Sequence, residues 1–542
     1  MPDAVVIGAG HNGLVAANLL ADEGLEVLVL ERNGEAGGAV RTGELTLPGF
    51  RHDLFSAFYP LAAVSPVLSS LGLEAYGLTW RHAPLVLAST LPGGRSVAVS
   101  RRLEETVRSL EADHQGDGAR WEQMMQRWHS VRDGVVQALF SPFPPVRAGA
   151  GMLRRLGPSG LVHFARDLVL PVRRMGEEWF GGEAAALLLG ASALHADLPP
   201  ESAGSGGLGF LLACLAQDVG FPVPEGGAGA LTGALVARLR RRGGEVHCRR
   251  EVSRVVVRRG RAVAVRTADG DEIEARAVLA NVSAPALYLR LVGSEHLPAS
   301  FLADVRSFHW DAATVKVDWA LSAPVPWGSE EVGNAGTVHI ADGLDELTEH
   351  AAALATRRLP ARPFLVFGQQ AKADPSRAPI GCETAWAYTH VARELRGDAG
   401  GELDVGGDAW VPGFVDRIER RVEEHAPGFR DRILARHVFG PGQFGREDPN
   451  LDRGAVNGGT SQLHQQLVFR PVPGWGRAET PVAGLYLASA SAHPGGGVHG
   501  APGANAARAA LASAPRLRAA VFGRGGVGAL TGRRSGGAVE ER

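Results

Sequence analysis

The chain has 542 residues, a formal net charge of −2 at pH 7 and 45% hydrophobic residues. A charge so close to zero predicts no nucleic-acid partner, because such partners bind strongly basic surfaces. The hydrophobic content is enough for a large buried core, but no apolar run has the length of a membrane span. Because no signal peptide precedes the first apolar run, the expected location is the cytoplasm.

The start of the chain predicts a dinucleotide-binding βαβ unit. The apolar run 3–7 predicts a strand, a glycine-rich turn follows, 14–21 has helical spacing, and a second apolar run, 27–30, ends at Glu31. Glycines let the backbone approach a pyrophosphate, and the first N–H groups of the helix attract its charge. The carboxylate of Glu31 can accept hydrogen bonds from both ribose hydroxyls.

The glycine pattern alone is weak evidence, because the chain contains 72 glycines. The same G-x-G-x-x-G spacing recurs at other places, beginning at Gly204, Gly440, Gly495 and Gly523. Only the first occurrence combines a preceding strand, a following helix and an acid about twenty residues further on. We therefore place the dinucleotide at Gly8, Gly10 and Gly13. The alternative is an ordinary tight turn between a strand and a helix.

The segment after Glu31 distinguishes between nucleotides. Arg32 follows directly, then the pair Gly37-Gly38, then Arg41. This order resembles the extended FAD motif of the superfamily of flavin amine oxidases and phytoene desaturases, which simple NAD dehydrogenases lack. Adjacent glycines let a loop lie flat against a phosphate or a ring, and the guanidinium of Arg41 can pair with the pyrophosphate. Taken alone, the glycine pair would indicate only a flexible loop with a solvated arginine.

A second glycine loop lies near the far end of the chain. A strand predicted at 485–489 leads into Gly496-Gly497-Val498, and 501–511 is predicted as a helix. This order resembles the C-terminal FAD motif of the desaturases, in which a glycine loop opens a helix beneath the flavin. A helix N-terminus aimed at the pyrimidine edge of the flavin stabilises the anion formed on reduction. Without the first motif, this segment would indicate an ordinary loop between a strand and a helix.

The catalytic residues stay open, because the sequence shows no compelling acid–base pair. His493 and His499 are the titratable groups nearest in sequence to the predicted flavin loop, which makes them candidates for proton transfer. The equally weighted alternative is that a histidine here caps the start of the helix. No metal ligand is predicted.

The middle of the chain supplies a third block, with glycines at 226–229, an amphipathic helix at 235–240 and strands at 251–257 and 262–266. The resemblance implies that Val252 faces the adenine through its backbone. As an ordinary strand residue, Val252 would lie in the core, and the two roles are compatible.

These blocks, in this order, resemble a group of enzymes related to phytoene desaturase. The resemblance implies an α/β fold with a Rossmann-like FAD-binding domain of the glutathione-reductase type, in its amine oxidase and desaturase variant. This domain is expected to be interleaved with a mixed-sheet substrate domain and a helical cap. The predicted ranges are 1–63, 219–300 and 455–515 for the FAD-binding domain, 64–218 for the mainly helical cap, 301–454 for the mixed-sheet domain and 516–542 for a disordered tail.

Two features of the other segments bear on the substrate. Lys316 lies on the face of a predicted strand opposite the apolar one; some flavin amine oxidases keep a lysine near flavin N5, but spacing does not place Lys316 there. The segment 152–174 alternates apolar residues with arginines at helical spacing. Such a helix can make a peripheral membrane contact and admit a lipid-soluble substrate. The favoured alternative is a cap helix with a solvated arginine face.

The cysteines argue against one function. Cys214, Cys248 and Cys382 are far apart in sequence, whereas a dithiol reductase needs two close cysteines to exchange with the flavin. The sequence therefore predicts an FAD-dependent oxidoreductase whose flavin accepts a hydride from an apolar, polyprenyl or carotenoid-like small molecule. The alternatives are an amine or amino-acid oxidase, and a non-catalytic FAD-bound partner protein. Neither the electron acceptor nor the oligomeric state follows from the sequence.

Overall fold

The structure is a computed structural model that describes residues 1–513, so the predicted tail at 516–542 lies outside the described residues. One centre of the fold is a parallel sheet of five strands. In spatial order these are Leu485–Leu487, Ala277–Ala280, Ala4–Ile7, Val27–Leu30 and Glu245–His247. Strands from the two ends of the chain flank the same neighbour, Ala277–Ala280. The early and late glycine loops therefore leave the sheet side by side.

Both faces of this sheet are covered, which explains why its strands are continuous apolar runs. On one face the helix His11–Asp22 packs against two others, Ala228–Arg241 and Ala501–Ser513. On the other face, Val5, Ile7 and Val278 share a core with an antiparallel three-stranded sheet. The strands of that sheet are Val252–Arg258, Arg261–Thr267 and Glu272–Glu274. This arrangement confirms the predicted Rossmann-like α/β fold.

The second centre is a mixed sheet of seven strands. In spatial order these are Ile433–Phe439, Ala313–Leu321, Glu383–Val391, Leu365–Gly368, Ala335–Ile340, Leu85–Thr90 and Ser96–Val99. The last two strands come from 64–218, the region predicted as mainly helical. A short apolar run such as 85–90 is compatible with either a strand or a buried helix, and only its pairing with Ala335–Ile340 decides.

The two faces of the mixed sheet differ. Val315, Val317 and Trp319 point to one face, as the alternation predicts, and pack with the helix Val411–His425. The opposite face of the mixed sheet packs against the helices of the cap. The cap helices are Leu103–Asp113, Asp117–Phe140, Val146–Val169, Val172–Trp179, Glu183–His195 and Ser205–Asp218. Val146–Val169 bends at Gly157, whose φ is +67°, next to Pro158.

Short elements complete the described part of the chain. Its two-stranded ribbons are Thr42–Gly43 with His52–Asp53, Trp80–Arg81 with Val223–Pro224, and Arg358–Leu359 with Gly397–Asp398. The remaining α-helices are Pro60–Val64, Pro66–Ser69, Ala284–Ala286, Ala299–Arg306, Glu330–Asn334, Leu344–Ala355, Gln370–Ala373 and Pro441–Glu447. Within 1–513, no helix combines the length and the apolar character that crossing a membrane requires.

Candidate functional site

The first glycine turn lies where the strand Ala4–Ile7 ends and its helix begins. Gly8 has a φ of +89°, and the carbonyl oxygen of Asn281 lies 3.0 Å from the place a Cβ would occupy. At Gly10 the amide nitrogen of Asn281 lies 2.7 Å from that place, and a Cβ at Gly13 would overlap the carbonyl oxygen of Gly8. Side chains are therefore excluded here by close backbone approach, as a dinucleotide turn requires.

Glu31 is held with its carboxylate toward this turn. One carboxylate oxygen accepts the N–H of Ala9 and the other that of Asn33, both at 2.8 Å. Each oxygen keeps a lone pair, so the group suits the ribose hydroxyls of a dinucleotide. The helix His11–Asp22 begins with no side-chain cap and no acid in its first turn, which leaves its first N–H groups available for phosphate. These features fit FAD.

The pair Gly37-Gly38 lies against the first turn. The N–H of Gly37 donates to the carbonyl of Ala9 at 2.9 Å. A Cβ on Gly38, where φ is +56°, would lie 3.2 Å from the Cα of Gly10. The structure thus brings together the two glycine segments that the sequence analysis assigned to one FAD motif.

The two arginines of the extended motif are engaged by other parts of the protein. Arg41 forms ion pairs with Glu35 at 3.4 Å and with Glu447 at 3.5 Å. Arg32 is exposed and donates to the carbonyl oxygen of Arg446 at 2.9 Å. Pairing of Arg41 with a pyrophosphate therefore stays a prediction, and it would require a rearrangement of these contacts.

Three residues at the mouth of this site were missed by the sequence analysis. Asn281 covers the glycine turn, Asn450 donates to its carbonyl oxygen at 3.1 Å, and a carboxylate oxygen of Asp448 lies 3.2 Å from the Cβ position of Gly38. Burial raises the pKa of the Asp448 carboxyl. Only Asn281 had a sequence signal, because it directly follows a strand at the carboxyl edge of a parallel sheet, where ligands bind.

Val252 opens the strand Val252–Arg258 and is buried with Leu30 in one core. This position leaves its backbone near the end of Val27–Leu30, the strand that Glu31 directly follows. The side-chain role in the core is observed, whereas the contact with adenine stays a prediction.

The late glycine loop lies beside the early one. Burial lowers the pKa of His11, in the early turn, to about 4, and the backbone of Gly497 acts on this pKa in the opposite direction. A Cβ on Gly497, where φ is +107°, would lie 2.6 Å from a methyl group of Leu61. Gly496 leaves no room for a Cβ either, because Asn457 lies 2.8 Å from that place. Val498 is partly buried against the core of the parallel sheet.

The two candidate histidines have different surroundings. Nδ1 of His499 accepts the N–H of Ala501 at 3.1 Å, and its ring packs 5.3 Å from that of Phe140. Burial lowers the pKa of His499 to about 3. His493 packs 5.8 Å from the ring of Phe143, and burial lowers its pKa to about 4. Both imidazoles are therefore neutral at pH 7, and His499 has the geometry of a helix cap.

A buried arginine, Arg470, lies next to the late glycine loop. The sequence analysis did not find it. Arg470 is fully buried. It donates to the carbonyl oxygens of Asn457 at 2.9 Å, Thr460 at 3.0 Å and Ala490 at 2.7 Å. Burial lowers its pKa to about 10, so the guanidinium stays charged at pH 7. Asp311 holds the same segment by accepting the N–H groups of Val456 at 2.6 Å, Asn457 at 2.7 Å and Gly459 at 3.0 Å.

Lys316 lies between the FAD-binding part and the mixed sheet. Its ammonium donates to the carbonyl of Asp53 at 3.1 Å, pairs with Asp318, and lies 5.9 Å from the ring of Trp386. His52 contacts the same carboxylate at 3.5 Å. Lys316 is thus a buried, paired cation near the domain boundary, and its position relative to flavin N5 stays a prediction.

Together, the parallel sheet, the two apposed glycine loops and Glu31 define an FAD-dependent oxidoreductase. The chain belongs to the flavin containing amine oxidoreductase family, whose model matches residues 13–319. When bound, FAD supplies the hydride acceptor.

Similar proteins agree with this class. The chain is 29% identical to pyridine nucleotide-disulfide oxidoreductase domain-containing protein 2 of Rattus norvegicus, over 93% of this chain and 92% of that one. It is 26% identical to one of the limonene dehydrogenase subunits of Castellaniella defragrans, over 93% and 94%. It is also 26% identical to the lycopene-forming phytoene desaturase of Pseudescherichia vulneris, over 94% and 99%.

Solved structures show the same fold. An oxidoreductase from Methanosarcina mazei superposes with a TM-score of 0.62 at 18% identity, over 94% of this chain and 99% of that one. The cyclohexylamine oxidase of Brevibacterium oxydans superposes with a TM-score of 0.55 at 16% identity, over 95% and 99%.

Proposed function

We propose that this protein is an FAD-dependent dehydrogenase that removes a hydride from a C–H bond of an apolar, isoprenoid-like molecule. The observation that carries the proposal is an apolar surface beside the late glycine loop. It consists of Phe58, Leu61 and Trp386, which pack in one core, and we call it the apolar wall. Leu61 is in contact with Gly497, and the ring of Phe58 lies 6.1 Å from that of Trp386. Relatives named for limonene and phytoene support the same class of substrate.

The residues around the loop suit hydride removal. The apolar wall favours a hydrocarbon segment of the substrate, because contact with it removes apolar surface from water. The positive charge of Arg470 and the N-terminus of the helix Ala501–Ser513 both stabilise negative charge at the loop. Loss of a hydride from one carbon of the substrate is accompanied by loss of a proton from its neighbour, and His493 is the candidate acceptor, because its imidazole is neutral at pH 7 and both ring nitrogens of His499 are engaged.

We further propose that the bent helix Val146–Val169 contacts a membrane surface. Val162 and Val169 are 70% and 52% exposed. Leu463, which is 42% exposed, lies beside Gly204, and the N–H of Gly204 donates to the carbonyl oxygen of Val169 at 3.0 Å. Exposed apolar groups beside arginines are typical of helices that lie on anionic lipid. The arginines on the first half of the helix are Arg147, Arg154 and Arg155.

The position of this helix suits delivery of a lipid-soluble substrate. The loop that precedes it carries Phe143, which packs on His493, and the helix before the loop ends at Phe140, which packs on His499. One helical hairpin, formed by Asp117–Phe140 and Val146–Val169, therefore connects the proposed membrane surface with the late glycine loop.

The reaction is tested with the purified FAD-loaded protein under anaerobic conditions. Limonene and phytoene in detergent, and putrescine and cyclohexylamine in buffer, are mixed with it, and bleaching of the flavin absorbance is followed. We expect bleaching with an isoprenoid and none with the amines. Bleaching with an amine and with neither isoprenoid would overturn the proposal in favour of an amine oxidase.

The membrane contact has its own test. Flotation with vesicles of phosphatidylcholine and phosphatidylserine should recover the protein, and the pair Val162→Asp and Val169→Asp should abolish recovery. Leu434→Asp is the matched control, because Leu434 is 51% exposed on a strand of the mixed sheet. Equal recovery of all three proteins would contradict the contact.

A further inference from the structure

A second set of polar side chains lies on the cap-facing side of the mixed sheet, away from the glycine loops. We call it the polar wall; it consists of His195, His339, Tyr388 and His390. His339 lies on Ala335–Ile340, Tyr388 and His390 lie on Glu383–Val391, and His195 ends the helix Glu183–His195. Alternate residues of a strand share a face, so Tyr388 and His390 point the same way.

The members of the polar wall touch one another. Nδ1 of His195 lies 3.2 Å from Nε2 of His339. The hydroxyl of Tyr388 donates to the carbonyl oxygen of His195 at 3.0 Å. The ring of His390 lies 5.5 Å from that of Tyr388. These contacts form one continuous polar surface inside the protein.

Several atoms of this surface are buried without a hydrogen-bond partner. The ring of His390 faces the backbone of Leu194, His195 and Ala313, which supply its polar neighbours. Among the described residues, none makes a hydrogen bond of good geometry to Nδ1 of His339. The same holds for the hydroxyls of Ser89, which pairs in register with His339, and Ser192, one helical turn before His195. Buried polar atoms almost always have partners, so this concentration in one place indicates a bound polar group.

The wall is uncharged at neutral pH. Burial lowers the pKa of His195 to about 4, and it lowers the pKa of His339 and His390 as well. The neighbouring Asp197 has a pKa well above its ordinary value, because of burial first and the charge of Asp311 second. A neutral imidazole has one donor and one acceptor, which match a hydroxyl or a carbonyl; an ammonium or a carboxylate would need a fixed opposite charge.

The polar wall is linked to the late glycine loop indirectly, through two sets of contacts. Trp386, two residues before Tyr388 on the same strand face, packs on Phe58 of the apolar wall. Asp311, beside Asp197, accepts the N–H of Asn457, and Asn457 lies directly under Gly496. The polar wall thus continues, along the strand Glu383–Val391, the surface that carries Trp386.

We infer that the polar wall binds a neutral oxygen group, a hydroxyl or a carbonyl, at the end of the substrate remote from the reacting C–H bond. This inference rests on the proposed function, which assigns the apolar part of the substrate. It adds that the same substrate carries a polar group at its other end. The preferred substrate class becomes an oxygenated isoprenoid, and a plain hydrocarbon is bound more weakly.

Binding of four probes of equal chain length tests this inference: farnesol, farnesal, farnesene and farnesylamine. Each is titrated into the FAD-loaded protein, and the perturbation of the flavin spectrum yields a Kd without requiring turnover. We expect farnesol or farnesal to bind at least about tenfold more tightly than farnesene, the ratio that a satisfied buried hydrogen bond supports. Equal affinity for farnesene, or a preference for farnesylamine, would overturn the inference.

Variants then locate the effect. His339→Leu and His390→Leu should remove the preference for oxygen and leave the affinity for farnesene unchanged, and His339→Gln should retain part of the preference. His425→Gln is the matched control, a largely buried histidine on the helix Val411–His425 that should keep the full preference. FAD content and thermal midpoint show whether each variant is folded. Full preference in folded His339→Leu would place the oxygen group elsewhere.

The two proposals fail separately. A tenfold preference in Kd with no flavin bleaching by any isoprenoid would remove the proposed dehydrogenase reaction and keep the polar wall as a binding site. Bleaching by isoprenoids with no preference in Kd would keep the proposed dehydrogenase reaction and remove the polar wall as the binding site of an oxygen group.

Discussion

Nδ1 of His499 lies 3.1 Å from the backbone nitrogen of Ala501 and accepts its N–H, so this imidazole closes the first turn of the helix Ala501–Ser513. The other ring nitrogen faces the carbonyl oxygen of Gly496 at 3.3 Å. With Nδ1 as acceptor and Nε2 as donor, no lone pair is left for a substrate proton. Of the two roles open from the sequence, this geometry favours the cap.

The variant His499→Ala tests that role. If the imidazole only caps, we expect flavin reduction to change less than about tenfold, against the 10²–10⁴-fold loss typical of an acid–base group. The free energy of unfolding should fall by about 1 kcal/mol, the usual contribution of a cap. Stopped-flow reduction and denaturant unfolding measure the two effects, and His499→Asn should restore part of the stability. A hundredfold slower reaction at unchanged stability would contradict the cap.

Gly13 should tolerate no side chain, because a Cβ there overlaps the carbonyl oxygen of Gly8. We expect Gly13→Ala to push the helix His11–Asp22 off its strand and to yield protein with little or no bound FAD. Gly233→Ala is the control, since a Cβ there meets open space within a helix and should add up to about 1 kcal/mol of stability. FAD content after gel filtration is the measurement. Full flavin content in Gly13→Ala would place the dinucleotide elsewhere.

Arg470 should both hold the late glycine loop in place and raise the reduction potential of the flavin. Arg470→Met leaves the carbonyls of Asn457, Thr460 and Ala490 without their donor, so we expect a loss of several kcal/mol, about 3 or more. Loss of the buried cation should also lower the reduction potential. Arg417→Met is the control, because Arg417 is buried with Asp398 in the mixed-sheet part. Arg417→Met should lower the free energy of unfolding and leave the reduction potential of the flavin unchanged. Equal potentials in both variants would exclude the electrostatic role.

Acid should destabilise this protein well above the range where carboxylates titrate. His11, His195 and His493 have pKa values of about 4 in the folded protein, against 6.5 for an unperturbed histidine. Between these values the unfolded chain binds more protons, so stability is full above pH 6.5 and falls as the pH drops toward 4. Each such group adds up to about 1.4 kcal/mol per pH unit to the slope. Thermal midpoints from pH 7.5 to 4.5 should show this, with a shallower slope for His493→Gln. Identical slopes would mean that His493 takes up its proton over the same pH range in the folded and the unfolded protein.

The cysteines should be dispensable for turnover. Cys214, Cys248 and Cys382 are free, and burial raises the pKa of Cys214 well above its usual value, so it stays a thiol. A variant with Cys214→Ala, Cys248→Ser and Cys382→Ser should keep its FAD and its rate of flavin reduction by an isoprenoid. A folded triple variant with strongly reduced turnover would restore thiol chemistry to consideration.

The FAD assignment was accessible from the sequence because its signals are local. Gly8, Gly10, Gly13 and Glu31 belong to one βαβ unit, in which a backbone turn and the next strand determine where each group points. The late glycine loop was accessible for the same reason, since it lies between a strand and a helix. The alternation in Ala313–Leu321 likewise predicted which residues face the core.

Other features required the tertiary structure, because they join segments that are distant in sequence. Arg470 contacts Ala490, Asp311 contacts Asn457, and Asn281 covers Gly10, and no spacing along the chain encodes these pairs. The same holds for the polar wall, whose histidines come from a helix and two strands of the mixed sheet. The sequence by itself determined the cofactor and the fold class through local backbone geometry. The surroundings of the late glycine loop and the clustering of the histidines in the polar wall were decided only by packing, because burial and unpartnered atoms exist only once distant segments meet.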